Sequence, residues 1–194
     1  MLTPKLRLGR PVDRSIDRAV VDAVLLELKH RGYRSITMEG IARKTGRARA
    51  SLYRRWPSKP HLVAYAIVSE LGAHPSPDTG SLRSDLMRTV ETLITGFHGA
   101  LGPALAGLVG EMADDPVLAR TIRKEVLAKR RRSIRAAFRR GIKRGEIRSE
   151  VNIELFMDML TAPFYFRAIF GHLKLSTLMI ETVVDTVLRG AAAR

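Results

Sequence analysis

The sequence of 194 residues contains no cysteine, which excludes disulfide bonds, thiolate metal sites and cysteine nucleophiles. Long apolar runs are also absent. The two most apolar stretches, residues 100–113 and 160–170, are interrupted by charged residues or proline and fall short of the ~20 residues that a membrane-spanning helix needs. Residues 1–13 show no apolar segment typical of a signal peptide. We therefore expect a soluble, cytoplasmic protein that does not enter a membrane.

Acidic residues are few compared with basic ones: 19 Asp and Glu stand against 34 Lys and Arg, a net charge of +15. The excess is concentrated in residues 1–60, with 15 basic and 5 acidic residues, and in residues 123–148, with 12 and 2. A chain with this much positive charge attracts polyanions, and nucleic acid is the most frequent partner of such proteins. An anionic membrane surface is the alternative partner.

Groupings of residues that would indicate catalysis or metal binding are missing as well. The five histidines are scattered without metal-ligand spacing, and the sequence has neither a glycine-rich phosphate loop nor a nucleophile elbow. We therefore predict a protein that is not an enzyme and that needs no metal or cofactor.

Helical periodicity is present throughout the chain, and no segment shows the two-residue alternation of a strand. Asp13 is a good N-cap, and apolar residues then recur every four positions until Gly32, which predicts a helix over residues 14–31. Thr37 begins a second short helix, and Gly46 separates it from a third, at about residues 48–55. The remaining predicted helices cover about residues 59–73, 82–97, 103–113, 116–140, 152–170 and 176–190.

These patterns predict an all-α protein in two parts. Residues 1–60 form a helix-turn-helix domain with a basic N-terminal arm, because two short helices joined at a glycine turn follow a longer one. Residues 61–194 form a helical regulatory and dimerisation domain, with the helix from 58 to about 73 as connector. Residues 74–81, rich in Pro, Gly and Ser, are a linker.

The run ITMEGIARKTGRARASLYRRWPSKPHLV, residues 36–63, resembles the signature of the TetR (tetracycline-repressor-like) family of transcriptional regulators. The matching elements are Thr37, Ile41-Ala42, Gly46, Leu52-Tyr53, and Trp56-Pro57-Ser58-Lys59 before Leu62-Val63. The resemblance implies double-stranded DNA as partner and a homodimer that pairs through its last two helices.

Three positions depart from the family pattern. Ala48 stands where a Ser or Thr usually caps the recognition helix, which costs about 1 kcal/mol. Arg47 replaces a small apolar residue, so the turn is more basic. Gly40 replaces the residue expected at the third position of a capping box. We therefore expect the DNA contacts to differ in detail from those of other members.

Phosphate contacts require cations or hydroxyl donors at the rim of the DNA-binding surface. The candidates are Thr37, Tyr53, Lys59 and either Arg43 or Lys44. Lys5, Arg7 and Arg10 belong to an N-terminal arm that can enter a minor groove. Leu52 and Trp56 are interpreted as core.

Base readout requires side chains at the exposed start of the third helix. Arginine can bond guanine through two hydrogen bonds, serine can serve several bases, and alanine can touch a thymine methyl group. The candidates are Arg47, Arg49, Ala50 and Ser51, together with Arg54, which can reach a base or a phosphate. The alternative is that these arginines form only a solvated basic face.

The C-terminal helices carry more apolar residues than one face requires, which favours self-association over a monomer with a fuller core. Some of these residues are candidates for the wall of a ligand pocket, although a plain core explains each of them equally. They are Val90, Phe97, Leu105, Leu108, Met112, Val126, Phe156, Met159 and Phe164. Glycines such as Gly107 have no side chain, so the neighbouring helices leave room for a small apolar or aromatic effector. His98 and Glu111 are candidates for polar contacts with it.

The basic run at residues 129–145 has two interpretations: a solvated helix face, or a second contact with a polyanion. For the whole chain we predict a repressor that binds a palindromic operator as a homodimer and is released by a small molecule. The alternative is a basic protein that coats DNA or a membrane surface without sequence preference.

Overall fold

The computed structural model describes residues 14–71 and 77–192, except for the side chains of residues 14–17, 71, 100, 101 and 103. These residues form helices and no strand, which confirms the predicted all-α fold. The predicted N-terminal arm and residues 72–76 lie outside the described part. The helices are α1 (Arg14–Arg31), α2 (Met38–Lys44), α3 (Arg49–Arg55), α4 (Lys59–Leu71), α5 (Leu82–Gly96), α6 (Gly102–Asp114), α7 (Pro116–Ile122), α8 (Ala128–Lys143), α9 (Ile153–Phe170) and α10 (Thr177–Ala191).

Helices α1 to α3 form the head of the molecule. The apolar stripe of α1 is buried, because Val20, Val24 and Leu28 recur on one face of the helix. Leu52 of α3 and Trp56 just after it are buried in the same core, as expected. Trp56 also contacts Tyr65 of α4, with ring centroids 5.2 Å apart, so the head is anchored on α4.

Helices α5 to α10 form the body, and α4 packs on α1 as well as on α6 and α7. One continuous apolar core extends from the head through α4 into the body. The connecting helix is therefore in contact with both parts over its length. The head and the body are therefore joined by packed side chains as well as by the chain itself.

Several helices in the body are irregular. The predicted helix over residues 116–140 consists of α7, a wide π-helical turn at Arg123–Leu127, and α8. Between α5 and α6 the chain kinks at Gly99 and changes direction by 88°. Among the described residues no single helix is long and apolar enough to cross a membrane, and only α5 and α6 taken together reach that length and composition.

The described end of the linker is fastened to the body by Asp85. This carboxylate is fully buried at the start of α5 and accepts 2.8 Å hydrogen bonds from both the backbone N–H and the hydroxyl of Thr79. Arg140 of α8 donates a 3.0 Å bond to the same carboxylate and another to the carbonyl of Pro77. Burial raises the pKa of Asp85, but these donors outweigh it and hold the pKa below its ordinary value.

Candidate DNA-binding interface

The turn between α2 and α3 is built from local backbone requirements. Thr37 caps α2 by accepting a 3.0 Å hydrogen bond from the backbone N–H of Gly40. A side chain at Gly40 would begin 2.9 Å from the Thr37 hydroxyl, so glycine suits this cap. Gly46 adopts a left-handed conformation with φ +64°, which lets the chain reverse into α3. Thr37 is exposed at this end of α2.

Helix α3 exposes the side chains that the sequence predicts for base contact. Arg47, Arg49, Ala50 and Arg54 are exposed, and Ser51 is half-buried. Ala48 occupies the N-cap position without a side-chain hydrogen bond, so the first backbone N–H groups of α3 lack the usual cap. The free N–H groups carry a partial positive charge, and the neighbouring arginines are positive as well. Both therefore favour an anionic partner at this end of α3.

Arg49 is held by two neighbours within the head. Its guanidinium lies 2.5 Å from the carboxylate of Glu39 on α2 and 5.6 Å from the centre of the Tyr53 ring. Tyr53 and Glu39 together raise the pKa of Arg49 above its ordinary value. Arg49 is therefore held along the outer face of α3 by Glu39 and Tyr53.

The candidates for phosphate contact differ in the contacts that they already form within the molecule. Lys44 forms an ion pair with Glu27 of α1, whereas Arg43 is exposed and has no ion pair among the described residues. Of these two alternatives, Arg43 is the freer cation. Tyr53 is 40% exposed, and Lys59 at the start of α4 lies 4.2 Å above the centre of the Tyr33 ring.

Tyr33, which no motif in the sequence marks, joins the head to the body. Its hydroxyl donates a 3.0 Å hydrogen bond to Glu111 of α6, and burial together with this bond raises its pKa well above the ordinary value. The ring lies directly on Gly107, where an added Cβ would be 2.2 Å from Cγ of Tyr33. The sequence predicts that Gly107 leaves room for a ligand, and this prediction is wrong, because the ring of Tyr33 fills that space.

Two family models match the chain. One, of bacterial regulatory proteins of the tetR family, matches residues 20–66, and one of tetracyclin repressor-like C-terminal domains matches residues 76–187. The matches cover most of the head, α4 and the body. The chain belongs to the TetR family. It is a DNA-binding transcriptional regulator, as the resemblance in residues 36–63 implies.

Individual relatives agree with this assignment. The DNA-binding transcriptional repressor TetR of Mycobacteroides abscessus is 31% identical over 178 residues, which are 88% of this chain and 90% of that protein. The crystal structure of the TetR family transcription regulator SCO0332 covers 92% of this chain and 100% of its own, with a TM-score of 0.74 and 26% identity. FadR from Bacillus subtilis, solved with stearoyl-CoA, shares the fold, with a TM-score of 0.64 and 15% identity over 89% of this chain and 98% of its own.

In this TetR-family chain, eight of the nine residues proposed for a ligand pocket belong to one apolar core. Five of them are buried and Leu105, Met112 and Phe156 are partly buried. Met159 is the exception: it is exposed, because its spacing of four residues from Leu155 places it on the outer face of α9. Met159 therefore does not line the interior. His98 is exposed, and Glu111 is the partner of Tyr33.

The outer face of α9 carries an exposed apolar stripe. Leu155, Met159, Phe166 and Phe170 follow one another at intervals of four and seven residues and are 46% to 66% exposed. The rings of Phe166 and Phe170 are in contact, with centroids 4.7 Å apart. Helix α10 adds the exposed Leu178. A stripe of this kind is characteristic of a surface that associates with another apolar surface.

The basic run at residues 129–145 divides into two faces. Arg131 and Arg135 are paired with Glu154 of α9, each with a shortest distance of 2.6 Å, and Arg140 is paired with the buried Asp85. Arg132 and Arg139 are exposed and form no ion pair within the described part of the chain. Much of this charge therefore joins α8 to its neighbours, which supports a structural interpretation of the run over a second polyanion contact.

Proposed function

We propose that this TetR-family regulator is a cytoplasmic repressor that binds a palindromic operator as a homodimer and is released by a small apolar or aromatic effector. Residues 1–60 read DNA, residues 61–194 bind the effector and dimerise, and α4 connects them. The observation that carries the proposal is the exposed row formed by Arg47, in the turn before α3, and by Arg49, Ala50 and Arg54 on α3. It lies at the start of the second helix of a helix-turn-helix, where side chains meet base edges in the major groove.

The apolar stripe on α9 supports dimerisation through the last two helices. Aromatic and methionine side chains are favoured at the centre of protein interfaces. Two copies that bury the stripe around a two-fold axis present two recognition helices, and a two-fold protein requires a palindromic site. Half-sites are then separated by about one DNA turn or a multiple of it.

The core of the body supports an apolar effector. Phe97, Leu108 and Phe164 are buried between α5, α6 and α9, next to helices that are interrupted by the kink at Gly99 and by Pro163. Pro163 removes one backbone hydrogen bond of α9, and the kink at Gly99 turns α6 away from α5, so these helices do not pack on this core as regular helices would. FadR, which shares this fold, was solved in complex with stearoyl-CoA, which supports a ligand with a large apolar part for this chain as well.

Contacts between head and body supply the coupling that release requires. An effector changes DNA affinity only if it binds more tightly to a state whose two heads are wrongly spaced for the operator. The bond between Tyr33 and Glu111 joins α6, which carries Leu105, Leu108 and Met112, to the side chain that supports Lys59. A shift of α6 therefore alters the position of a candidate phosphate contact.

Selection of bound sites from random duplex DNA by the full-length chain tests this function. We expect a palindromic consensus that is bound about 10³-fold more tightly than random DNA at physiological salt. Sedimentation of the complex is expected to give two chains for each operator. Equal affinity for all duplexes would contradict the proposal and favour a DNA-coating protein, and a consensus without two-fold symmetry would contradict the dimer.

A further inference from the structure

Arg130 occupies an interior position on α8. Arg130, Ile134 and Ala137 of α8 follow one another at intervals of four and three residues and therefore lie on one face of the helix, and Ile134 and Ala137 are both buried. Arg130 is half-buried at the start of this face, whereas Arg132 on the same helix is exposed. A guanidinium thus stands in an apolar stripe where a leucine or isoleucine would complete the packing.

The partner of Arg130 within the described residues is a phenol rather than a carboxylate. Its side chain interacts with the hydroxyl of Tyr165 on α9, and none of the ion pairs in this part of the molecule includes it. A guanidinium has five N–H donors, and one hydroxyl cannot satisfy them. Burial lowers the pKa of Arg130 despite Tyr165, so the surroundings do not fully replace the water that the charge has lost.

An aromatic ring contacts the pair of Arg130 and Tyr165, and several helices near the pair are irregular. Phe97 contacts Tyr165 edge to face, with ring centroids 5.1 Å apart. Phe97 begins the kinked segment at Gly99, the π-helical turn Arg123–Leu127 comes just before Arg130, and Pro163 is two residues before Tyr165. Wide π-helical turns are frequent at functional sites, because they displace side chains that a regular helix would hold.

We infer that the effector is an apolar small molecule with one carboxylate, which the guanidinium of Arg130 and the hydroxyl of Tyr165 bind. Arginine binds carboxylates through two parallel hydrogen bonds, and such charge-assisted bonds are strong where water is excluded. The apolar part of the molecule then lies against Phe97 and the buried face of α8. This inference rests on the proposed ligand-responsive function and adds the chemical class of its ligand.

A fluorescent fatty acid and its ester test the inference directly. The full-length chain is titrated with dansylaminoundecanoic acid and with its methyl ester, which differ only in the charge of the head group. We expect the acid to bind about tenfold more tightly than the ester, and Arg130→Met to abolish that preference. Arg132→Met, which removes the same charge from the exposed face of α8, should keep it. Tyr165→Phe should reduce it only in part.

Stability provides a second readout that separates ligand binding from a structural role. A half-buried cation without a carboxylate is costly, so Arg130→Met is expected to melt at the same or a higher temperature without ligand. The inference would be overturned if the wild type bound the acid and the ester equally or did not bind the acid at all. It would also be overturned if Arg130→Met kept the preference for the acid. A fall of several degrees in melting temperature with the preference retained would overturn it as well.

Operator binding without the probe is measured in parallel. Arg130→Met should bind DNA within about twofold of the wild type, because it lies in the body and not in the head. If the acid binds through Arg130 but does not release DNA, the repressor mechanism of the proposed function fails while the site stands. If DNA is released by other compounds and the acid shows no preference, the site fails while the mechanism stands.

Discussion

The hydroxyl of Tyr33 in the head donates a 3.0 Å hydrogen bond to the carboxylate of Glu111 in the body, across 78 positions of the sequence. The ring of the same residue lies on Gly107 and beneath the ammonium of Lys59. One side chain thus touches a helix of the effector domain and a candidate phosphate contact. This geometry gives the head and the body a specific connection beyond the shared packing of α4.

A double-mutant cycle measures that connection. Tyr33→Phe and Glu111→Gln each weaken or remove the hydrogen bond while they preserve shape, so each should lower the free energy of unfolding by about 1 kcal/mol. The double variant should lose less than the sum of the two, with a coupling of at least about 0.5 kcal/mol by urea denaturation. Strict additivity would show that the two groups do not stabilise one another.

Glu39 is predicted to restrain DNA binding. Its carboxylate pairs with Arg49 at the DNA-binding face and repels phosphates. Glu39→Gln removes one negative charge there and releases Arg49, so affinity for all duplexes should rise about three- to tenfold at low salt and less at high salt. Fluorescence anisotropy across a salt series checks this. Glu70→Gln, an exposed change late in α4, is the control; an equal effect there would mean that only net charge matters.

Arg49 and Tyr53 should fall into different classes of contact. Arg49→Ala removes a base contact and is expected to relax the preference at one operator position, with a loss of about tenfold or more on the preferred base. Tyr53→Phe removes a phosphate contact and should weaken every sequence by a similar factor. Binding of a set of operators mutated at single base pairs distinguishes the two patterns. If Arg49→Ala lowered the affinity for every operator by the same factor, Arg49 would contact a phosphate rather than a base.

Local patterns predicted the helices well. α1 was predicted over residues 14–31 and is found at Arg14–Arg31, and Asn152 and Ser176 cap α9 and α10 as expected. Caps, turn glycines and apolar spacing act within a few residues, so they are visible in a sequence read without a structure. The exposed row on α3 was found for the same reason.

Features that depend on tertiary contacts were not predictable. Tyr33 and Gly107 meet only because the head packs on α6, and Met159 was placed in the interior because its exposed stripe is as apolar as a core. Arg130 looked like one member of a basic run. Its position on the buried face becomes visible only with the packing of α8, and the register of that helix is shifted by the π-helical turn before it.

The stability contributed by Asp85 should depend on pH. Its pKa in the folded protein lies below the unfolded value, so its contribution is present above about pH 4 and is lost as the pH falls through the folded pKa. Asp85→Asn leaves Arg140 without its buried carboxylate and should cost about 3 kcal/mol at neutral pH. Urea unfolding between pH 7 and pH 3 should show the two proteins converging as the solution becomes acidic. A constant difference would contradict the assignment.

Dimerisation through α9 is predicted to depend on Phe166. Phe166→Glu places a charge in the middle of the exposed apolar stripe, where burial of an unpaired carboxylate opposes association. Analytical ultracentrifugation should show dimers for the wild type and monomers for this variant at micromolar concentration, with the helical content unchanged by circular dichroism. Val117→Glu, at an apolar residue of similar exposure on α7, should stay dimeric. Because two heads must bind one palindrome, the monomer should also lose most of its operator affinity while each head keeps its fold. A dimer that survives Phe166→Glu would place the interface on another surface.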